Sequence, residues 1–203
     1  MWKLALAASL ALAAPAQAAD AMTDAGLAAL VDQRLAGDRT GACMAVAVVE
    51  RDHVTRAYRC ADPADASRIG ADTAFEIGSV SKTMTSVLLA DLILRDAASL
   101  DDPLADHLPA GTNVPSFGDA PILLRHVVTH TSGLPGLPSR MGTPDPANPY
   151  AKLDEDMLLA SLGDVTLSAA PGTAFEYSNF ASMLLSYAVS RRAEADLESL
   201  MRQ

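Results

Sequence analysis

A chain of 203 residues with a net charge of −10 at pH 7 has room for one domain, or two small ones, with a sizeable core. Half of the residues are apolar but only 4% are aromatic, so we predict a helix-rich core of small side chains. The acidic balance argues against a nucleic-acid-binding protein, because no basic surface is available to neutralise phosphates.

The N-terminal segment, residues 1–18, has the pattern of a secretory signal peptide. Lys3 precedes an apolar run over residues 4–14, and Pro-Ala-Gln-Ala follows as a small-residue cleavage site. The run is too short for a membrane-spanning helix, which needs about 20 apolar residues. We predict cleavage after Ala18 and a secreted or periplasmic protein with no membrane span. The mature charge would be −11, since the total of −10 loses the positive charge of Lys3.

The next segment has the pattern of a helix followed by a β-hairpin. Thr23 begins a predicted helix that ends near Gly37. Its apolar side chains are expected on one stripe: Leu27, Leu30, Val31 and Leu35. Two runs, residues 42–50 and 54–60, predict antiparallel strands around a tight turn. The first strand is apolar on both faces, which is typical of a strand covered on both sides.

Cys43 and Cys60 are placed symmetrically about the hairpin turn at residues 51–53. Both therefore fall on one face of the hairpin, directly opposite each other or one diagonal apart. In an oxidising compartment such a pair favours a disulfide. The alternative is two small buried thiols. In either case we interpret the two cysteines as structural.

From Ser79 onward the pattern changes from strands to helices and loops. Apolar periodicity predicts one helix after Ser79 and three more over residues 122–130, 153–162 and 180–201. Residues 131–149 contain five prolines and no periodicity, which is typical of a functional rim loop. We predict one mature domain over residues 19–203. Its helix and hairpin occupy residues 19–77, and its helical part occupies residues 78–203.

The first candidate catalytic motif is Ser79-Val-Ser-Lys82. Residues three apart on a helix lie on one face, so the Ser79 hydroxyl and the Lys82 amine fall within hydrogen-bond reach. A lysine accepts the serine proton when burial or neighbouring charge keeps its amine partly neutral. We expect burial here, because apolar residues cover most of the circumference of the helix, which is typical of an interior helix. They are Met84, Val87, Leu88, Ile93 and Leu94.

An ordinary N-cap serine followed by a chance lysine is the alternative interpretation of this motif. One Ser-x-x-Lys is expected by chance in roughly 200 residues of average composition. The mature chain, however, contains only two lysines, Lys82 and Lys152, and one of them falls at this place.

The second candidate motif is Tyr177-Ser178-Asn179, which follows a Pro-Gly turn. A tyrosine beside a lysine charge can have its phenol pKa lowered enough to shuttle a proton, and the Asn179 amide can hold a substrate carbonyl. The alternative is that Tyr177 anchors a loop through its hydroxyl. Each of the two motifs occurs once in the chain.

Other catalytic centres have weaker support. His126 and His130 stand four residues apart, which suits a metal on a helix, but there is no adjacent glutamate and no obvious third ligand. We therefore predict no metal site. The sequence contains no Gly-x-Ser-x-Gly motif, which argues against a Ser-His-Asp hydrolase.

Four motifs in this order resemble the class C branch of the β-lactamase-related serine hydrolases, which also includes D-alanyl-D-alanine carboxypeptidases and some esterases. They are Phe-Glu-Ile-Gly-Ser-Val-Ser-Lys-Thr from Phe75, Leu-Asp-Asp-Pro from Leu100, Val-Thr-His-Thr-Ser-Gly-Leu-Pro from Val128, and Pro-Gly-Thr-Ala-Phe-Glu-Tyr-Ser-Asn from Pro171. The resemblance implies an α/β (α+β) domain of the β-lactamase/transpeptidase-like fold.

The resemblance also implies the roles of the site residues. Ser79 would be the acylated nucleophile, Lys82 its proton partner, Tyr177 the general base and acid, and Asn179 a substrate-orienting amide. The substrate would be a β-lactam, a D-alanyl peptide or an ester, and no cofactor would be required. The loop over residues 133–150 is expected to carry part of the choice among these substrates.

One part of the family pattern is absent from this sequence. Members of the resembling family carry a third motif, Lys-Thr-Gly or His-x-Gly, on a strand that lines the site opposite the serine. Neither motif follows Tyr177 in this chain, which stops at Gln203. We therefore expect an incomplete, truncated fold without the C-terminal strands, and a hydrolase that is inactive or weak. The alternative is a non-catalytic fragment or a cell-wall peptide-binding protein without turnover.

Overall fold

The computed structural model describes residues 21–142 and 145–202. These residues form two compact units, one that ends at Glu76 and one that begins at Ile77. The predicted signal peptide, residues 1–18, lies outside the described residues. No helix in the described part of the chain is long and apolar enough to cross a membrane.

The first unit consists of helix α1 (Asp24–Leu35) and a β-hairpin. Thr23 caps the helix, because its hydroxyl oxygen accepts the N–H of Gly26. The buried face of α1 packs on the hairpin and consists of Leu27, Ala28, Val31 and Leu35. The prediction for Leu30 was wrong, since its side chain is 52% exposed. Leu30 precedes Val31 by one residue, which rotates it about 100° away from the buried face.

The hairpin contains strands β1 (Cys43–Val49) and β2 (Val54–Cys60). The two strands pair antiparallel with Cys43 directly opposite Cys60, and these two residues form a disulfide. Helix α1 packs against one face of the hairpin. On the other face the β1 side chains are exposed, and Val49 is 76% exposed. The described residues therefore cover this apolar strand on one face only.

Removal of this disulfide is expected to destabilise the first unit. The bond joins residues that are 17 positions apart, so it restricts the unfolded chain. A variant with Cys43→Ala and Cys60→Ala is expected to lower the free energy of unfolding by about 2–4 kcal/mol. Native-state hydrogen exchange of the β1 and β2 amides measures this change. The wild-type protein in reducing buffer serves as the control and should match the variant, whereas unchanged exchange would refute the prediction.

The second unit is mostly helical, with one short hairpin of β3 (Ser116–Phe117) and β4 (Ala120–Pro121). Its helices are α2 (Ser81–Leu94), α3 (Leu124–Val128), α4 (Glu155–Ala160), α5 (Asn179–Ala193) and α6 (Leu197–Met201). Helix α5 is at the centre, because it contacts each of the other four helices. Its buried side chains are Phe180, Ala181, Leu184, Leu185, Ala188 and Val189.

The prediction that α2 is buried on most of its circumference was wrong. The helix buries Thr85, Leu89 and Leu92. In contrast, Val87 is 67% exposed and Leu94 is 85% exposed. Among the described residues, α5 and α6 pack against one side of α2, and its apolar outer stripe remains uncovered. An apolar composition predicts that a helix surface will be covered, but it does not identify the covering element.

The single helix predicted over residues 180–201 is two helices in the structure. Helix α5 ends at Ala193 because Glu194 adopts a left-handed conformation with φ 53°. Asp196 then caps α6, since its side chain accepts the N–H of Ser199. Apolar periodicity continues across Asp196, so periodicity alone predicts one helix where the structure has two.

The other helical predictions are right in type but not in their bounds. The segment 122–130 is helical only as α3. The helix predicted over residues 153–162 begins two residues later, as α4, and continues into a 3₁₀ helix at Ser161–Asp164. The described residues of the loop 131–149 form no helix and only an isolated bridge between Asp145 and Asn148.

Candidate active site

Ser79 lies in a 3₁₀ turn, Gly78–Val80, directly before α2. Gly78 has φ 52°, a left-handed conformation that glycine adopts without strain. Lys82 follows in the first turn of α2, and its Nζ donates a hydrogen bond to Ser79 Oγ at 2.9 Å. The Ser79 side chain is exposed. A substrate carbonyl can therefore approach the hydroxyl.

Tyr177 joins this pair from a position 98 residues away along the chain. Its hydroxyl donates to Ser79 Oγ at 2.7 Å. The Lys82 ammonium lies 5.1 Å from the centre of the Tyr177 ring. Two groups that can exchange a proton with the serine thus meet at one oxygen atom, which is the arrangement required to activate a serine nucleophile.

The surroundings of the Tyr177 phenol favour its ionised form. The interaction with the Lys82 side chain, followed by the hydrogen bond with Ser79, lowers the pKa of Tyr177. A lower pKa increases the fraction of phenolate at neutral pH. Tyr177 can therefore act as a base toward the Ser79 hydroxyl.

Asn179 is the first residue of α5, and its backbone N–H donates to the carbonyl of Gly136 at 2.9 Å. Its half-buried side chain makes no hydrogen bond with any other described residue. The structure thus brings Ser79, Lys82 and Tyr177 into direct contact, but it does not bond the Asn179 amide to them. That amide is free to meet a substrate group.

Ser178 was not predicted from the sequence as a functional residue. Its side chain is fully buried, donates to the carbonyl of Pro135 at 2.6 Å and accepts the N–H of Ala181 at 2.9 Å. It therefore caps α5 and ties the rim loop to the start of that helix. A serine directly before a helix is a favoured N-cap, and this signal could have identified Ser178.

We expect Ser178→Ala to lower the free energy of unfolding by about 1–2 kcal/mol, the usual cost of losing an N-cap. Urea denaturation measures the change. Ser182→Ala is a matched control within α5, because the Ser182 hydroxyl donates only to the carbonyl of Ser178. An equal loss in both variants would contradict a capping role for Ser178.

The rim loop is anchored at a second place by Arg140. Its guanidinium donates two hydrogen bonds of 2.8 Å to the Asp164 carboxylate, and the Ser139 hydroxyl donates a third to the same group at 2.7 Å. These donors, Arg140 first, hold the pKa of Asp164 well below its usual range. Ser139 and Arg140 thereby attach the rim loop to Asp164, in the segment that follows α4.

The two histidines that were considered as metal ligands make other contacts. His126 Nδ1 accepts the backbone N–H of Leu123 at 3.1 Å, and His130 Nδ1 accepts that of Ser178 at 3.2 Å. The described part of the chain contains no group of three or more side chains arranged to hold a metal ion.

A comparison with solved structures identifies the fold. The structure resembles a β-lactamase/D-alanine carboxypeptidase from Yersinia pestis, solved in complex with citrate, with a TM-score of 0.67 and 28% identity. The match covers 86% of this chain and 51% of that protein. The predicted β-lactamase/transpeptidase-like fold is therefore confirmed, and the described residues are mostly helical with small two-stranded sheets.

Curated relatives agree with this fold. The chain is 32% identical over 148 residues to the D-alanyl-D-alanine-carboxypeptidase/endopeptidase AmpH of Escherichia coli strain K12. The aligned region covers 72% of this chain and 38% of AmpH. It is also 32% identical over 162 residues to the esterase EstB of Burkholderia gladioli, and this aligned region covers 74% of this chain and 39% of EstB. The chain spans about two fifths of the length of these relatives.

The model of the beta-lactamase family matches residues 27–203, which is most of the chain. This protein belongs to the beta-lactamase family, and the family predicted from the four sequence motifs is confirmed. The family is one of serine hydrolases.

Proposed function

We propose that this protein is an exported serine hydrolase that forms an acyl-enzyme on Ser79. The observation that carries the proposal is the pair of hydrogen bonds that Lys82 and Tyr177 make to Ser79 Oγ. Export rests on the signal peptide predicted over residues 1–18. The substrates are β-lactams, D-alanyl peptides or esters, since relatives are named as a carboxypeptidase/endopeptidase, an esterase and a β-lactamase.

In the acylation step, ionised Tyr177 accepts the proton of the Ser79 hydroxyl. The serine oxygen then forms a bond to the substrate carbonyl carbon. When the bond to the leaving nitrogen or oxygen breaks, Tyr177 returns the proton to that atom. Before the proton is accepted and after it is returned, the Lys82 ammonium, 5.1 Å from the centre of the Tyr177 ring, stabilises the phenolate, because opposite charges attract. Water activated by the same two groups hydrolyses the acyl-enzyme in the second half of the reaction.

The backbone N–H of Ser79 supplies one hydrogen-bond donor for the developing oxyanion. It lies in the first turn, where a helical N–H has no acceptor within the helix. No described residue accepts a hydrogen bond from it.

A pre-steady-state experiment with three substrates tests this function. The protein is mixed with a chromogenic cephalosporin, a D-alanyl-D-alanine peptide and a p-nitrophenyl ester. We expect at least one of them to give a burst of product that is stoichiometric with the protein, followed by turnover. A burst with no later turnover would favour the alternative of a binding protein without turnover, whereas the absence of a burst with all three substrates would refute the proposal.

Two serine variants control this experiment. Ser79→Ala should abolish the burst because it removes the nucleophile. Ser81→Ala is a matched control, since the Ser81 hydroxyl lies two residues away and donates to the carbonyl of Gly78. The burst should persist in Ser81→Ala.

A further inference from the structure

His130 holds the segment that carries Tyr177 on both sides of that residue. The N–H of Glu176 donates to the His130 carbonyl at 2.8 Å, and the N–H of Ser178 donates to His130 Nδ1 at 3.2 Å. The imidazole also packs against the Tyr177 ring, with 4.4 Å between the ring centres and 32° between the planes. One histidine therefore fixes both backbone neighbours of Tyr177 and the face of its ring.

The contact with Ser178 requires a neutral imidazole. Because Nδ1 accepts the Ser178 N–H, it carries no proton, and the proton of the neutral ring is on Nε2. Protonation would place a second N–H at Nδ1, directly opposite the backbone donor. The hydrogen bond would then be lost and replaced by repulsion between two donors.

The positive charge of Lys82 opposes the protonation of His130, whereas an ionised Tyr177 favours it. Helix α2 presents the Lys82 ammonium, and the segment before α5 presents the Tyr177 phenol. Lys82 and His130 border one cavity of about 20 Å³, in which α3 contributes Val127 and α5 contributes the neutral Ser182. Burial first, and then the positive charge of Lys82, lower the pKa of His130 from 6.5.

We propose that neutral His130 is a positioning residue for Tyr177, and that its protonation releases Tyr177 from Ser79 and stops acylation in acid. The inference rests on the proposed function, in which Tyr177 is the base. His130 makes no hydrogen bond with the Ser79 hydroxyl, and its described contacts with the segment of Tyr177 are the ones through which it would act. The protein would then lose activity in acid through two groups, the Tyr177 phenol and the His130 imidazole.

Protonation of His130 also lowers the stability of the fold, because the folded protein lowers the pKa of this residue. In the folded protein the pKa of His130 lies below the unfolded value of 6.5. At pH values between these two pKa values, the folded protein therefore binds fewer protons than the unfolded chain. The stabilisation is complete above pH 6.5. It is lost as the pH falls from 6.5 through the folded-state pKa.

His130→Asn is the decisive variant. The asparagine oxygen can accept the Ser178 N–H as Nδ1 does, but it does not titrate. His130 has φ 55°, and asparagine is one of the few residues that tolerate this left-handed conformation. At neutral pH we expect acylation to fall less than in a variant that also lacks the acceptor, because only the ring contact is lost. As the pH falls in the acid range, the logarithm of the acylation rate of His130→Asn should fall by one unit per pH unit. In the wild-type protein it should fall by two units per pH unit.

His130→Gly removes the acceptor and the ring while it still adopts the left-handed backbone. We expect kcat to fall by about 10²-fold at all pH values with little change in KM, because a small displacement of a catalytic group has an effect of this size. His126→Asn is the matched control, since His126 lies on α3 but does not contact Tyr177. It should keep both the wild-type rate and the wild-type acid slope.

An NMR titration tests the inference without any need for activity. With ¹³C-labelled tyrosine, the Cζ resonance of Tyr177 should show a step at the pKa of His130, and this step should vanish in His130→Asn. An unchanged acid slope together with no step would overturn the inference while the proposed function stands. A step in a protein that no substrate acylates would support the inference on His130 and refute the proposed function.

Discussion

Replacement of Lys82 with alanine is expected to lower the rate of Ser79 acylation by about 10²–10⁴-fold, the usual contribution of general acid–base catalysis. Two contacts are lost in this variant. They are the 2.9 Å hydrogen bond from Lys82 Nζ to Ser79 Oγ and the positive charge beside the Tyr177 ring. Without that charge the pKa of Tyr177 rises toward its ordinary value, and less phenolate is present at neutral pH. Burst kinetics measure the acylation rate directly.

Lys152→Ala is a matched control for this experiment. Lys152 is the other lysine after the predicted cleavage site, and it is exposed in the turn between the rim loop and α4. Its loss should leave acylation unchanged. Lys82→Arg keeps the positive charge beside the phenolate, so its acylation should fall less than that of Lys82→Ala. Acylation of Lys82→Ala at the wild-type rate would contradict the proposed role of Lys82.

Tyr177→Phe is expected to lower acylation by about 10²–10⁴-fold as well, since it removes the proposed base. Phenylalanine keeps the ring that packs on His130, so the loss should arise from the hydroxyl and not from misfolding. The pH profile adds a second test. Because the pKa of Tyr177 is lowered, the wild-type rate should rise with pH through that pKa and then level off, and this rise should be absent in Tyr177→Phe.

The control for Tyr177→Phe is Tyr187→Phe. The Tyr187 hydroxyl donates to Glu155, and Tyr187 lies on α5 away from Ser79. We expect this variant to acylate at the wild-type rate. A similar loss in both tyrosine variants would show that the hydroxyls act through stability. The base would then have to be another group.

Local spacing predicted the contact between Ser79 and Lys82 because both residues lie within one helical turn. The hairpin and the register of Cys43 opposite Cys60 are local in the same way, since a short turn determines which residues face each other. The approach of Tyr177 to Ser79 is not local. Only the order of motifs along the chain, compared with a known family, indicated that these two residues meet.

Features that depend on distant packing were the ones that sequence reasoning missed. The apolar composition of α2 does not reveal that Met84 and Val87 stay exposed among the described residues, because that depends on which elements cover the helix. The role proposed for His130 depends on its left-handed backbone just after α3. It also depends on the backbone N–H of Ser178, more than 40 residues later, which donates to His130 Nδ1. From the sequence, the spacing of the two histidines was weighed only as a metal site, and that site was rejected.

Localisation of the acyl group by mass spectrometry tests the central claim most directly. The protein is incubated with the substrate that gives the burst, quenched and digested, and the modified peptide is fragmented to distinguish Ser79 from Ser81. We predict one acyl group per protein, bound to Ser79 in the wild-type protein and in Ser81→Ala, and no adduct in Ser79→Ala. An adduct that persists in Ser79→Ala, or a wild-type protein that remains unmodified, would contradict the assignment of Ser79 as the nucleophile.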